Sequence, residues 1–162
     1  MSVLSLIRSF KDGFASSSNE SAYISKTFNQ YDIPSNLEEA LNILNSFFSD
    51  TSKSEAMDGK NLIKLNFSLN YKLRETWKLW DKESLLKEWF KSNYKIDNPE
   101  IISQIIILVW HNILINNNIK IEEIIKSVIE NKKIIEESYK TKKSFSLDIG
   151  YENGLFKTKI IY

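Results

Sequence analysis

The sequence predicts a mainly α single domain of five to six helices, closed by a C-terminal two-stranded β-hairpin. Three observations carry that prediction. Apolar residues recur at helical spacing through most of the 162-residue chain. Helix-start signals accompany them. Only after residue 144 does the period fall to two, around an Asn153-Gly154 turn. The expected layout is an N-terminal helix and mobile linker over 1–20, a helical core over 33–140 and the hairpin over 144–162.

A chain of this length can bury one hydrophobic core without staples. Apolar residues make up 42% and charged residues 27%, which argues against a mainly disordered chain. The net charge of +1 creates no whole-chain field toward nucleic acid or an anionic membrane. Cysteine is absent, so disulfides, thiolate catalysis and cysteine-based zinc sites are excluded. A single histidine, His111, cannot build a histidine-rich metal site, and no cofactor is expected. The N-terminus MSVLSLIRSF lacks the basic region, long apolar run and cleavage site of a signal peptide. The most apolar run, 101–115, is interrupted by Ser103, Gln104, His111 and Asn112 and is too short to span a bilayer. The expectation is a cytoplasmic protein with no membrane span.

Taken in order, Val3, Leu4, Ile7, Phe10 and Phe14 predict a short helix over 2–11, and the Ser/Asn-rich stretch 15–20 a linker; 22–31 shows no clear period. Ser35 and Glu38 after Pro34 read as a capping box. The helix that follows should bury Leu37, Ala40, Leu41, Leu44, Phe47 and Phe48, and the polar run 49–54 should break it. Leu62, Leu65, Leu69, Leu73 and Trp77 predict a long helix ending near Leu79, with Phe67 and Tyr71 to one side. Asp81 reads as the cap of a further helix with Leu85, Leu86, Trp89 and Phe90 inward. Asn98-Pro99-Glu100 supplies a cap, a proline at the first helical position and an acid in the first turn of the Ile-rich helix to about Ile115. Three asparagines, 116–118, make a turn before a last helix marked by Ile121, Ile124, Ile125, Val128, Ile129 and Ile135.

In the C-terminal segment, a two-residue Asn153-Gly154 loop sets the register Glu152↔Leu155, Tyr151↔Phe156, Ile149↔Thr158, Leu147↔Ile160 and Phe145↔Tyr162. One face is then nearly all apolar, and Asp148 faces Lys159 on the other. The apolar face must pack on helices, because a lone hairpin is marginal in water. Its outer edge could accept a strand from another chain.

Residues 74–90 hold three of the four tryptophans and read as the hub of the core. Arg74, Trp77 and Trp80 follow at intervals of three, which places them on one helical stripe. Two readings of Arg74 stand. It stacks on tryptophan beside an anion pocket, or its stem packs on the core while its head pairs with Glu75 or Asp81. His111 sits in the most apolar helix, where a buried histidine hydrogen-bonds a carbonyl or a neighbouring side chain; acid–base work would need partners the sequence does not show. The densest basic zone, Lys132, Lys133, Lys140, Lys142 and Lys143, is interleaved with Glu130, Glu136 and Glu137 and reads as a solvated helix end.

Pro34, Leu37, Glu39 and Ala40, then Arg74, Trp77, Leu79 and Trp80, then Ser84, Leu86, Trp89 and Phe90, then Asn98 and Pro99 follow an order that resembles an uncharacterised bacterial domain family over roughly 33–115. The chain departs from that pattern at Lys82-Glu83 and at Ile101-Ile102. The resemblance brings no activity with it. The functional expectation is a small protein-binding module that contacts its partner through the hairpin edge or a helical face, of the kind that includes immunity-type inhibitors of toxins. Arg74, Trp77, Trp80 and His111 are the candidate binding residues. The alternatives are a nucleic-acid-associated accessory protein using the basic zone, or a small enzyme using Arg74 and His111.

Overall fold

The computed structural model describes residues 33–141 and 144–162. The helix and linker expected before residue 32, together with Lys142 and Lys143, lie outside the described residues. Six helices, α1 (Leu37–Phe47), α2 (Asp50–Ala56), α3 (Gly59–Thr76), α4 (Leu85–Tyr94), α5 (Pro99–Leu114) and α6 (Ile121–Lys140), precede an antiparallel pair, β1 (Ser146–Glu152) and β2 (Leu155–Ile161). The architecture is mainly α with a C-terminal hairpin, as the periodicity predicts.

The organising element is α5 rather than the tryptophan-rich segment. It is apolar around its whole circumference, and such a helix is stable only when covered on every side. Ile102, Ile105, Ile106, Ile107, Leu108 and Trp110 are all buried. The helix packs against α1, α3, α4 and α6. Leu62, Leu65, Leu69, Leu73 and Trp77 form the buried stripe that α3 turns inward, while Phe67 and Tyr71 stay exposed. From α1 come Ala40, Leu44 and, just beyond its end, Phe48, whose ring lies 4.8 Å from that of Trp110.

Several boundaries differ from the sequence reading, each for a local reason. The first cap is Asn36, whose side chain accepts from Glu39 N, while the Glu39 carboxylate reaches back to the Ser35 amide at 2.7 Å. The reciprocal capping logic therefore operates one residue later than the Ser35/Glu38 pairing. The polar run after Phe48 does break α1, but it then forms α2, capped by Ser49 and docked through the small residues Ser52 and Ala56. Helix α3 ends at Thr76, not near Leu79. Lys78 adopts φ 50°, and Leu79 N donates to Arg74 O while Lys78 N donates to Glu75 O, a Schellman closure that buries Leu79. Asp81 falls within the ensuing turn, and Ser84 caps α4 instead. Leu86 and Phe90 are then inward and Trp89 half-buried, but Leu85 points to solvent.

Asn98 caps α5 by accepting from the Glu100 and Ile101 amides, and Asn116, with φ 51°, closes it through Asn117 N to Asn112 O. The hairpin has the expected register from Glu152↔Leu155 to Ser146↔Ile161. Positive φ at Asn153 and Gly154 is what a type I′ turn requires. The ladder stops one pair short of Phe145↔Tyr162, and the Phe145 ring sits 5.3 Å from that of Tyr139 at the end of α6.

Two asparagines fasten the hairpin to the helices. Buried Asn112 donates through Nδ2 to Leu108 O and Gly154 O, each at 2.8 Å, and accepts from Asn117 Nδ2 at 2.8 Å. Gly154 is required twice over: its φ is +85°, and a Cβ there would meet Asn112 Oδ1 at 2.2 Å. On the other side of the hairpin, Asn131 of α6 donates to Phe156 O at 2.7 Å and accepts from Thr158 N at 3.0 Å. Those are the two bonds that a residue of a neighbouring parallel strand would make.

Replacing Asn112 by Ala strands the Gly154 carbonyl and the Asn117 amide in a buried turn. At about 1–3 kcal/mol for an unpaired buried group, the variant should lose about 2–3 kcal/mol of unfolding free energy in urea titration, and the hairpin amides should exchange fastest.

Candidate functional site

A cleft of about 240 Å³ opens between α3, α5, α6 and the apolar face of the hairpin. Ile63 and Phe67 on α3, Ile101 on α5, Val128 and Ile135 on α6, and Ile149 and Phe156 on the hairpin give it an apolar wall. Carboxamides interrupt that wall: Asn66, Gln104 and Asn131 all line it. Asn66 is about nine-tenths buried, and its Oδ1 accepts from Asn70 Nδ2 at 2.9 Å. At the rim, Lys132 Nζ donates to Glu100 Oε2 at 2.8 Å, with Glu136 at 3.9 Å. The hydrogen bond from Lys132 is the main reason the Glu100 carboxyl lies below the ordinary carboxylate value; burial opposes it, and the charges of Lys132 and Arg74 add to it.

A second groove, of about 340 Å³, runs on the far side of Asn131 between α6 and β2. Its walls carry Glu123, Lys126, Glu130 and Lys157, side chains that keep their own hydration. Area for area it offers a partner less apolar burial than the cleft, whose walls are mostly hydrocarbon.

The four candidate residues do not form one site. Trp77 caps α3 and is wholly buried, out of reach of any ligand. Trp80 lies past the helix end and is 54% exposed. The expected single stripe is therefore broken at Lys78, although the contact between Arg74 and Trp80 survives: the guanidinium carbon sits 5.8 Å from the Trp80 ring centroid. Arg74 makes no ion pair with Glu75 or Asp81, and its Nε is buried without an acceptor.

His111 lies toward the other end of the core. Along α5, Glu100, which feels the Arg74 charge, and His111 are separated by about 16 Å of helix rise. His111 is fully buried, with Nε2 3.3 Å from Met57 O and Nδ1 2.6 Å from the Tyr151 hydroxyl. A carbonyl can only accept, so Nε2 carries the proton and Nδ1 accepts from the tyrosine. Burial pushes the histidine below its ordinary value, against smaller opposing contributions from the Met57 and Ala56 carbonyls. Burial also raises the Tyr151 phenol to about 12. A neutral imidazole and a neutral phenol with no solvent access make a latch between the hairpin and α5 rather than an acid–base pair. The Tyr151 ring closes the arrangement by lying against Gly59, where a Cβ would stand 2.4 Å from its Cδ1. The tyrosine escaped the sequence reading because its partner is 40 residues away; its inward position was nevertheless implied by the hairpin register.

Among the described residues, no group of three or more His, Cys, Asp or Glu side chains gathers as a metal site would require, and no helix is long and apolar enough to cross a membrane. Lys132 lies near Glu100 and Glu136, and Lys133 lies 4.0 Å from Glu137, so these lysines of the basic zone face carboxylates of the same chain.

Fold and site together define a small mainly α domain with a lateral cleft completed by a terminal hairpin. The chain belongs to the family described as a domain of unknown function (DUF6794), whose model matches residues 33–114. That span begins where the described structure begins and ends with the last residue of α5, so it supplies the α3 and α5 walls of the cleft; α6 and the hairpin, which supply the others, follow it. No curated protein and no solved structure matches the chain.

The latch predicts a pH dependence of definite sign. With its folded pKa below the ordinary 6.5, His111 binds protons in the unfolded chain before it does so in the folded one. Its contribution to stability is complete above that value. It is lost progressively as pH falls from 6.5 toward the folded pKa. Urea midpoints measured from about pH 8 to about pH 5 should fall on the acid side, and His111→Gln should flatten that slope. Tyr151→Phe should cost about 1–2 kcal/mol by leaving Nδ1 unpaired.

Proposed function

We propose that this protein is a protein-binding module whose partner docks in the cleft between α3, α5, α6 and the hairpin. The observation that carries the reading is the composition of that cleft. Apolar side chains from four elements are interleaved with carboxamides, and the flanking Phe67 is 61% exposed. Hydrocarbon walls supply affinity through burial, and asparagine and glutamine can each both donate to and accept from a peptide backbone. An exposed aromatic beside a depression is the arrangement that concentrates binding energy at protein interfaces.

The hairpin refines the reading. Strand addition at β2 would have to displace Asn131, which already occupies Phe156 O and Thr158 N. On β1 the outward backbone groups belong to Leu147, Ile149 and Tyr151, and among the described residues they make no hydrogen bond. A partner strand would therefore add to β1. The specific form we propose is a bacterial, cytoplasmic, immunity-type inhibitor that holds a toxin in a stoichiometric complex.

Tagged wild-type protein should retain one stoichiometric protein partner from its native host, and Gln104→Trp, which fills the cleft from a half-buried helical position, should lose it while keeping the wild-type urea midpoint. The captured partner should lose its toxic activity in the one-to-one complex. Absence of any stoichiometric partner, or equal retention by Gln104→Trp, would remove the cleft reading.

A further inference from the structure

Resting on that reading, we infer that the partner segment is extended and acidic, with an apolar side chain seated in the cleft and a carboxylate held by Arg74 against Trp80. The two features lie along one side of α3. At 3.6 residues per turn, Phe67, Tyr71 and Arg74 fall within about 60° of one another. They border the buried stripe on the flank that also carries Asn66 and Asn70. Phe67 and Asn66 line the cleft, Tyr71 is 55% exposed one turn further on, and Arg74 follows at the helix end. A continuous track therefore leads from the apolar cleft to the guanidinium.

Charge bookkeeping at the rim identifies the missing group. Lys132 and Glu100 are already bonded at 2.8 Å. Arg74 has no ion pair among the described residues, and its Nε–H is buried without an acceptor. Other groups are unsatisfied in the same way, but Trp77 Nε1 and Trp110 Nε1 belong to side chains wholly inside the core, where no partner can reach. Arg74 is only partly buried and lies at the edge, beneath an exposed tryptophan. One turn before it, Asn70 Oδ1 is also unpartnered on a side chain 5% exposed.

The guanidinium is also pre-positioned. The left-handed Lys78 and the bond from Leu79 N to Arg74 O fold the chain back so that Trp80 covers the arginine head. A planar, always-charged group held on an aromatic face loses little freedom when a carboxylate arrives, and it can offer a two-pronged hydrogen bond that a lysine cannot. An extended partner fits a track bordered by carboxamides, because a peptide presents N–H and C=O groups at each residue.

A library of random twelve-residue peptides, panned against the full chain and followed by fluorescence polarisation of the enriched peptides, tests this. The expected result is a consensus with Asp or Glu at a fixed spacing from one large apolar residue. Arg74→Gln should weaken binding at least tenfold, Arg74→Lys by less, and Gln104→Trp should abolish it, with urea midpoints confirming that each variant folds. Exchanging the peptide acid for its amide should weaken wild-type binding to the same degree and have no further effect on Arg74→Gln. A consensus without an acid, or affinity unchanged by Arg74→Gln, overturns the inference. If Gln104→Trp still abolishes that binding, the cleft reading stands alone; if neither variant matters, both fall.

Discussion

The fold depends on covering α5 without stranding the polar groups it carries. A helix with buried isoleucines around its circumference gains a great deal from being wrapped, about 1.5–3 kcal/mol for each fully buried side chain. That gain is set against the cost of sealing Ser103, His111 and Asn112 away from water. Ser103 solves the problem locally, donating to Glu100 O at 3.1 Å. His111 and Asn112 solve it at a distance, through Met57 O, Tyr151 and Gly154. Their partners lie in the loop before α3 and in the hairpin. The hairpin is therefore more than an appendage: it completes the hydrogen bonding of the central helix.

This arrangement explains which parts of the molecule were legible in the chain. The hairpin could be read to the residue because two independent signals agreed, the Asn-Gly turn and the alternation on both sides of it. The inward stripe of α3 was legible for the same kind of reason, five apolar residues at helical spacing that are all buried. In α4 the sequence offers two rival stripes, Leu85 with Trp89 and Leu86 with Phe90, and local pattern cannot rank them. Packing on α5 selects the second and leaves Leu85 exposed. The end of α3 was hidden because a lysine, not a glycine, takes the left-handed position at residue 78. Without that break, Arg74, Trp77 and Trp80 look like one stripe; with it, they become a surface pair and a core residue. The cleft was invisible for a different reason, since its walls come from residues 63 to 158 and no local spacing brings them together.

The two edges of the hairpin are treated differently, and the difference bears on function. An unpaired strand edge is a template for any passing strand, and proteins usually blunt it. Here β2 is blunted by one carboxamide, Asn131, supported by Ser127, whose hydroxyl donates to the same Phe156 carbonyl at 3.3 Å. The Asn131 side chain does two jobs from one position: it fixes the hairpin on α6 and lines the cleft. A substitution there would loosen the hairpin and reshape the cleft together, so it could not separate stability from binding. Gln104 and Arg74 can, because neither is bonded to the hairpin.

Unpaired polar groups show where stability and binding part company in this molecule. Trp77 and Trp110 each bury an indole N–H without an acceptor, a cost absorbed by the hydrophobic gain of two large rings in the core. Arg74 offers no such compensation. Its guanidinium could have been neutralised by Glu75 or Asp81, which flank it in the sequence, yet neither forms an ion pair with it, and Glu100 is bonded to Lys132 instead. The side chain is held in place by an aromatic face that supplies attraction but no hydrogen-bond acceptor. A charge that is ordered, partly desolvated and unmatched is expensive to maintain for stability alone, and its natural complement is an acceptor from outside the chain.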